Sequence, residues 1–178
     1  MRSLALNPTF LNKIQPRSYV ATFIGAAASM KIEDHEVWSS LAGYLSTILN
    51  DLDFRSISNI CHSFFRVSHG KPVMLNFDDL FTEMELPIIQ KLDQILHNPN
   101  MADPKGVASV VMSYSKSQNG SVQFYQAMEK HVLACKDKLS SFEIANIVYS
   151  YSKSNNADKE LLSNLEGKVA ELLPKANT

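Results

Sequence analysis

The feature that most constrains this chain is a copy of itself. Residues 107–117 (VASVVMSYSKS) recur as residues 144–154 (IANIVYSYSKS) at a constant offset of 37. The match continues at that offset from Met128-Glu129 to Leu165-Glu166 and from Val132 to Val169. A weaker copy lies upstream, where Asn59–Arg66 aligns with Ser109–Lys116 at an offset of 50. The 13 extra residues are placed in the Ser68–Met84 region, where Gly70 and Pro72 read as an insertion. A fourth, degenerate copy runs from Thr22 to Met30, 36 residues before Ser58–Arg66. Repetition at such a period marks units that cannot bury their apolar faces alone and must stack on one another.

Each copy reads as two helices. Ser140 and Glu143 have the spacing of a capping box, and Ile144, Ile147, Val148 and Tyr151 follow at helical spacing. Asn155-Asn156 interrupts the pattern, Asp158 is placed to cap a second helix, and Leu161, Leu162, Leu165, Val169 and Leu172 carry its apolar stripe. The preceding copy opens at Asp103-Pro104, turns at Asn119-Gly120, and continues with Val122, Tyr125, Met128 and Val132. No long stretch alternates with period two. The expected fold is therefore all-α, a short α-solenoid of stacked helical hairpins with a period near 37 residues. Its expected parts are a basic N-terminal arm or targeting segment (1–17), a degenerate repeat (18–53), a repeat with an insertion (54–100), and repeats 101–138 and 139–175.

Charge is uneven along the chain. Residues 1–32 hold Arg2, Lys13, Arg17 and Lys31 and no acid, while residues 33–178 hold all 18 acids and 13 bases. A basic, acid-free start rich in Ser, Leu, Ala and Phe has the composition of a mitochondrial targeting segment, and the matrix side is the expected location. The body's excess of acid weighs against strong nucleic-acid affinity, most of which comes from neutralising phosphates. Two cysteines, Cys61 and Cys135, without a CxxC pair exclude a disulfide scaffold and a zinc ribbon. The uncharged stretch Ser18–Met30 spans 13 residues, short of the roughly 20 a membrane helix needs.

The motif ANIVYSYSKSNN, followed by LLSNLEGKV and repeated at 37, resembles the heptatricopeptide-type repeats of FAST-kinase-like and RAP-domain organelle proteins. These are related in style to pentatricopeptide and octotricopeptide arrays. The resemblance covers residues 101–175 fairly well, 54–100 loosely and 18–53 poorly, and a RAP domain is not expected after the repeats. It implies an organelle location, often mitochondrial, and commonly RNA binding.

In stacked hairpins, equivalent positions of successive first helices form columns. One column is Arg66, Lys116 and Lys153; a second is Asn59, Ser109 and Asn146; a third is His62, Met112 and Tyr149. On an RNA strand, the cations suit phosphates, the Asn/Ser column suits base edges, and Tyr149 offers a stacking face. The competing reading is structural: last-turn cations complement the helix dipole, and Asn and Ser bond neighbouring turns. The insertion carries an apolar stripe of Phe77, Leu80, Phe81 and Met84 beside Asp78, Asp79, Glu83 and Glu85, with Asn76 as cap of a short helix. That stripe suits docking of a partner protein, or folding back as core.

No phosphate loop, metal-binding HExxH, GxSxG or dinucleotide motif occurs. Neither an enzyme nor a cofactor is expected. The leading expectation is a structural or accessory subunit of a mitochondrial multiprotein complex, in contact with other subunits through solenoid surfaces. The alternative is an organelle RNA-binding protein of a mitochondrial ribosome or RNA-processing assembly. Exposed, unpaired Arg66, Lys116 and Lys153 would favour RNA; burial or pairing with acids would favour the scaffold.

Overall fold

A computed structural model describes residues 2–69, 76–98, 103–154, 156 and 159–172. Among them the chain is all helical, with no strand. The α-helices are α1 (Arg2–Ala5), α2 (Pro8–Lys13), α3 (Ser18–Ser29), α4 (His35–Ser46), α5 (Phe54–Ser68), α6 (Asp78–Leu96), α7 (Pro104–Lys116), α8 (Val122–Cys135), α9 (Ser141–Ser154) and α10 (Lys159–Leu172).

Short polar side chains set several of the starts, because the first N–H groups of a helix have no partner within it. Asp34 accepts from Glu36 and Val37, Asp53 from Ser56 at 2.7 Å, Asp103 from Gly106 at 3.0 Å, and Ser121 from Phe124 at 3.1 Å. Ser140 and Glu143 form the expected reciprocal box: Glu143 accepts from the Ser140 N–H at 2.8 Å, and Ser140 Oγ accepts from the Glu143 N–H at 3.4 Å. Asp158 lies outside the described residues.

The helices lie in two rows. The first helices α3, α5, α7 and α9 pack each on the next along their lengths, and the second helices α4, α6, α8 and α10 touch in the same order more sparingly. Ser58, early in α5, donates to the carbonyl of Gly106, early in α7. Lys116, at the end of α7, lies over the ring of Phe65, at the end of α5. Helices α5 and α7 are therefore parallel.

Two hydrogen-bond patterns recur at the repeat spacing. Ser63, Ser113 and Ser150 each donate back to the carbonyl four residues earlier, at Asn59, Ser109 and Asn146, over 2.6–2.8 Å. Tyr114 in α7 donates 2.7 Å to the carbonyl of Phe81 in α6, and Tyr151 in α9 donates 3.0 Å to that of Tyr125 in α8. Each tyrosine thus ties a first helix to the second helix before it. This pairing makes Phe81 and Tyr125 equivalent, and it relocates the insertion. Of the 13 extra residues, six fall between Phe64 and Phe81 and seven between Phe81 and Tyr114.

The docking role considered for the insertion fails for this reason. Phe77, Leu80, Phe81 and Met84 are all buried. The last three lie on α6, which is not a short added helix but the second helix of its hairpin, 19 residues long. Asn76 does accept from the Asp78 N–H at 2.7 Å, ahead of that helix. The stripe folds back as core. Trp38, with its indole N–H on the Ile32 carbonyl at 2.7 Å, meets Phe64 edge-on, and Phe64 meets Phe77 the same way. A second run of rings leads from Phe81 through Tyr114, Phe124 and Tyr125 to Tyr151.

The N-terminal segment is not an extended arm. Helices α1 and α2 bury Ala5 and Leu11 in the same core as the repeats. Ser40 of α4 donates to the Ala5 carbonyl and Tyr44 of α4 to the Leu11 carbonyl, and Arg2 pairs with Asp34 and Glu36. Residues 2–13 therefore lie over α4 at the start of the array.

Candidate nucleic-acid interface

The three predicted columns share one surface, the solvent face of the first helices. Arg66, Lys116 and Lys153 stand in the last turns of α5, α7 and α9, all exposed. Parallel packing places these ends side by side, and helix axes in contact lie about 8–10 Å apart, which sets the spacing of the cations. None of the three forms an ion pair among the described residues. Lys116 Nζ lies 5.7 Å from the centroids of both the Phe65 and Tyr149 rings, and Lys153 Nζ lies 5.8 Å from the Tyr149 ring. Cation–π contact holds a lysine without neutralising it.

Tyr149 keeps 48% of its surface, unlike Tyr114, Tyr125 and Tyr151, which are core with tethered hydroxyls. In the second column Asn59 is exposed, and Ser109 and Asn146 are partly so. Their backbone carbonyls take the serine hydroxyls, so the helix itself is satisfied there. His62 is half-buried between these columns. Desolvation, and then the charges of Arg66 and Lys116, hold its imidazole below the ordinary histidine range. The two cations thus act on a common point.

A further column escaped the sequence reading. Arg55, Lys105 and Phe142 hold equivalent places at the offsets of 50 and 37, and all are exposed. Arg55 pairs with Asp103 at 3.5 Å.

The field of this face follows from how charge is divided between the rows. Helices α3, α5 and α7 carry no acid at all, whereas α5 and α7 carry Arg55, Arg66, Lys105 and Lys116. Helix α9 adds Lys153 and one acid, Glu143, which is engaged by Ser140. The acids crowd the second row: α6 alone has Asp78, Asp79, Glu83, Glu85 and Asp93 against Lys91. Several of them brace that row, Glu83 on Ser46, Glu85 on Ser121 and Asp78 on Asn119. The acidic body expected from the sequence is therefore uneven: α5 and α7 of the first row are net positive, and α6 of the second row is net negative.

Elsewhere the chemistry is sparse. Cys61 and Cys135 are buried free thiols whose burial raises their pKa, that of Cys135 to about 11. A thiol so protonated is a poor nucleophile. Among the described residues no group of three or more His, Cys, Asp or Glu is placed to hold a metal ion, and no helix is long and apolar enough to cross a membrane. No protein-family model matches the chain, and no curated protein shows significant similarity to it.

Proposed function

We propose that this chain is a non-catalytic helical-repeat subunit of a mitochondrial assembly, a short α-solenoid with a period near 37 residues. Its first-helix face binds single-stranded RNA. The observation that carries the reading is the row Arg66, Lys116 and Lys153, exposed and outside any ion pair among the described residues. Phosphates bind such a row through charge, and Tyr149 beside it offers a ring to a base. Location in mitochondria is supported by the acid-free first 32 residues. A second reading, a scaffold for protein partners, is favoured by one specific observation: Phe142, 74% exposed at the end of the array. The two readings concern different surfaces.

The test is binding of a fluorescent 15-nucleotide oligouridine across a salt series, in the wild type and in the triple variant Arg66→Gln/Lys116→Gln/Lys153→Gln. Each lost phosphate contact on a single strand removes about 0.7 from the slope of log K against log salt, so the variant's slope should be shallower by about 2. No binding by the wild type in 50 mM salt, or equal slopes, would overturn the reading. A pull-down from mitochondria, split and half treated with RNase, tells the assemblies apart. Partners lost with RNase favour RNA, and partners that survive it favour the scaffold.

A further inference from the structure

Of the residues on the first-helix face, His62 is the one whose chemistry the packing does not use. Its imidazole is half-buried, and its Nδ1 is buried without a hydrogen-bond partner among the described residues. It is also the one imidazole of its column, where its counterparts are Met112 and Tyr149. Arg66 stands one turn further along α5, and residues four apart on a helix are neighbours. Lys116 reaches across from α7: its Nζ lies 5.7 Å from the centroid of the Phe65 ring, and the His62 ring lies 6.4 Å from the same centroid. His69, exposed, flanks that ring at 4.8 Å. Helix α3 brings Tyr19 and, just past its end, Lys31; α3, α5 and α7 hold no acid. Helix α6 packs on α5 from the second row with Asp78, Asp79, Glu83, Glu85, Lys91 and Asp93, yet the charges that act on the imidazole are those of Arg66 and Lys116. A structural histidine is held by hydrogen bonds or by a carboxylate. His62 instead faces two cations.

We propose that His62 is a further phosphate-binding residue of this face, protonated when an RNA phosphate lies between Arg66 and Lys116, so that RNA binding takes up a proton and strengthens as the pH falls. The proposal rests on the RNA reading above and specifies how its site responds to pH. Helices in contact lie about 8–10 Å apart, a separation that two long cationic side chains close around one phosphate. In the free protein, desolvation and the two cations disfavour the imidazolium and hold the ring below the ordinary histidine range. A phosphate between the cations reverses the second of these effects, because an opposite charge within about 4–6 Å favours the charged form. With Nδ1 buried, Nε2 is the nitrogen that gains the proton from solvent and donates to a phosphate oxygen. The bound state then holds more protons than the free one. By linkage, the association constant rises as the pH drops through the interval between the two titrations.

The test is binding of a fluorescent 15-nucleotide oligouridine, free of terminal phosphate, at pH 7.5, 6.5 and 5.5 in fixed salt. The full chain is compared with His62→Gln, and the fold of each is checked by circular dichroism at every pH. Neither uracil nor a phosphodiester titrates in this range, so a proton taken up belongs to the protein. The wild type should gain roughly threefold or more in affinity from pH 7.5 to 5.5, and His62→Gln should lose most of that gain. A second measurement follows the ring Cε1–H signal of His62 by NMR, identified by its absence in His62→Gln. Its titration should move to higher pH when oligouridine binds. It should move the same way in the free Arg66→Gln/Lys116→Gln variant, where the cations are gone. No binding at any of the three pH values overturns the RNA reading, and this proposal with it. Binding with the same pH dependence in His62→Gln, or a His62 titration that oligouridine does not move, overturns this proposal alone.

Discussion

Removing one hydroxyl from Tyr114 or from Tyr151 tests how the two rows are joined. Each phenol is buried and donates to a carbonyl inside a neighbouring second helix, Phe81 in α6 at 2.7 Å and Tyr125 in α8 at 3.0 Å. Burial raises both phenol pKa values, so the donor stays protonated. Substitution by Phe keeps the ring, and with it the contacts of Tyr114 to Phe81 and Phe124 at 5.0 and 4.0 Å. The orphaned carbonyl keeps its helical N–H partner, so the full penalty of an unsatisfied group does not apply. The net cost is that of one ordinary hydrogen bond, about 1 kcal/mol. For a domain of this size that lowers Tm by roughly 2–4 °C. Urea unfolding of Tyr114→Phe and Tyr151→Phe should show lower midpoints with an unchanged m value and nearly equal losses. If both variants are as stable as wild type, the tyrosine ties do not hold the rows together. If either loses more than about 3 kcal/mol, the carbonyl is not satisfied as argued.

Other outcomes follow from single features. Gly120 has φ +106°, and a Cβ there would lie 2.6 Å from the Tyr125 ring. Gly120→Ala should therefore cost about 2 kcal/mol by chemical denaturation, and a neutral result would mean that the turn differs in solution. Leu11 is buried against α4, so Leu11→Ala should cost roughly 2–4 kcal/mol; a loss below about 0.5 would show that α2 does not dock. His131 is buried and its Nδ1 has no hydrogen-bond partner among the described residues, and desolvation lowers its pKa, as it does for His62. The folded state thus binds fewer protons than the unfolded one below the ordinary histidine pKa of about 6.5. Stability should be complete above that pH and fall as the pH drops below it, and His131→Gln should flatten the fall between pH 7.5 and 5.5 in urea titrations. An unchanged slope would remove His131 as the cause.

Much of the fold was legible in sequence, because the same residues recur where the same contacts recur. Ser113 and Ser150 share an i−4 bond, and Tyr114 and Tyr151 share a cross-row bond, at the 37-residue offset. The capping box at Ser140 and Glu143 is local chemistry that needs no tertiary context. The role of residues 76–96 was hidden for a physical reason. Extra residues on both sides of Phe81 put α6 out of register with α8, and Pro87, a residue that ordinarily breaks helices, sits inside α6. The packing of α1 and α2 was hidden because a short basic segment reads the same whether it trails or docks. Only the long-range bonds from Ser40 and Tyr44 distinguish the two. For the candidate interface, the columns were visible from offsets alone. The separation of charge was not, since it appears only once alternate helices are assigned to opposite rows.

That separation has a consequence for approach rather than for contact. With a formal net charge of −1, the molecule has almost no monopole, yet α5 and α7 of one row are net positive and α6 of the other is net negative. It is a permanent electric dipole. A polyanion exerts a torque on it with little net pull, and at physiological salt this acts only within the last ~8 Å of separation. For the RNA proposed above, that torque would turn the first helices foremost in the final step, before any side chain makes contact.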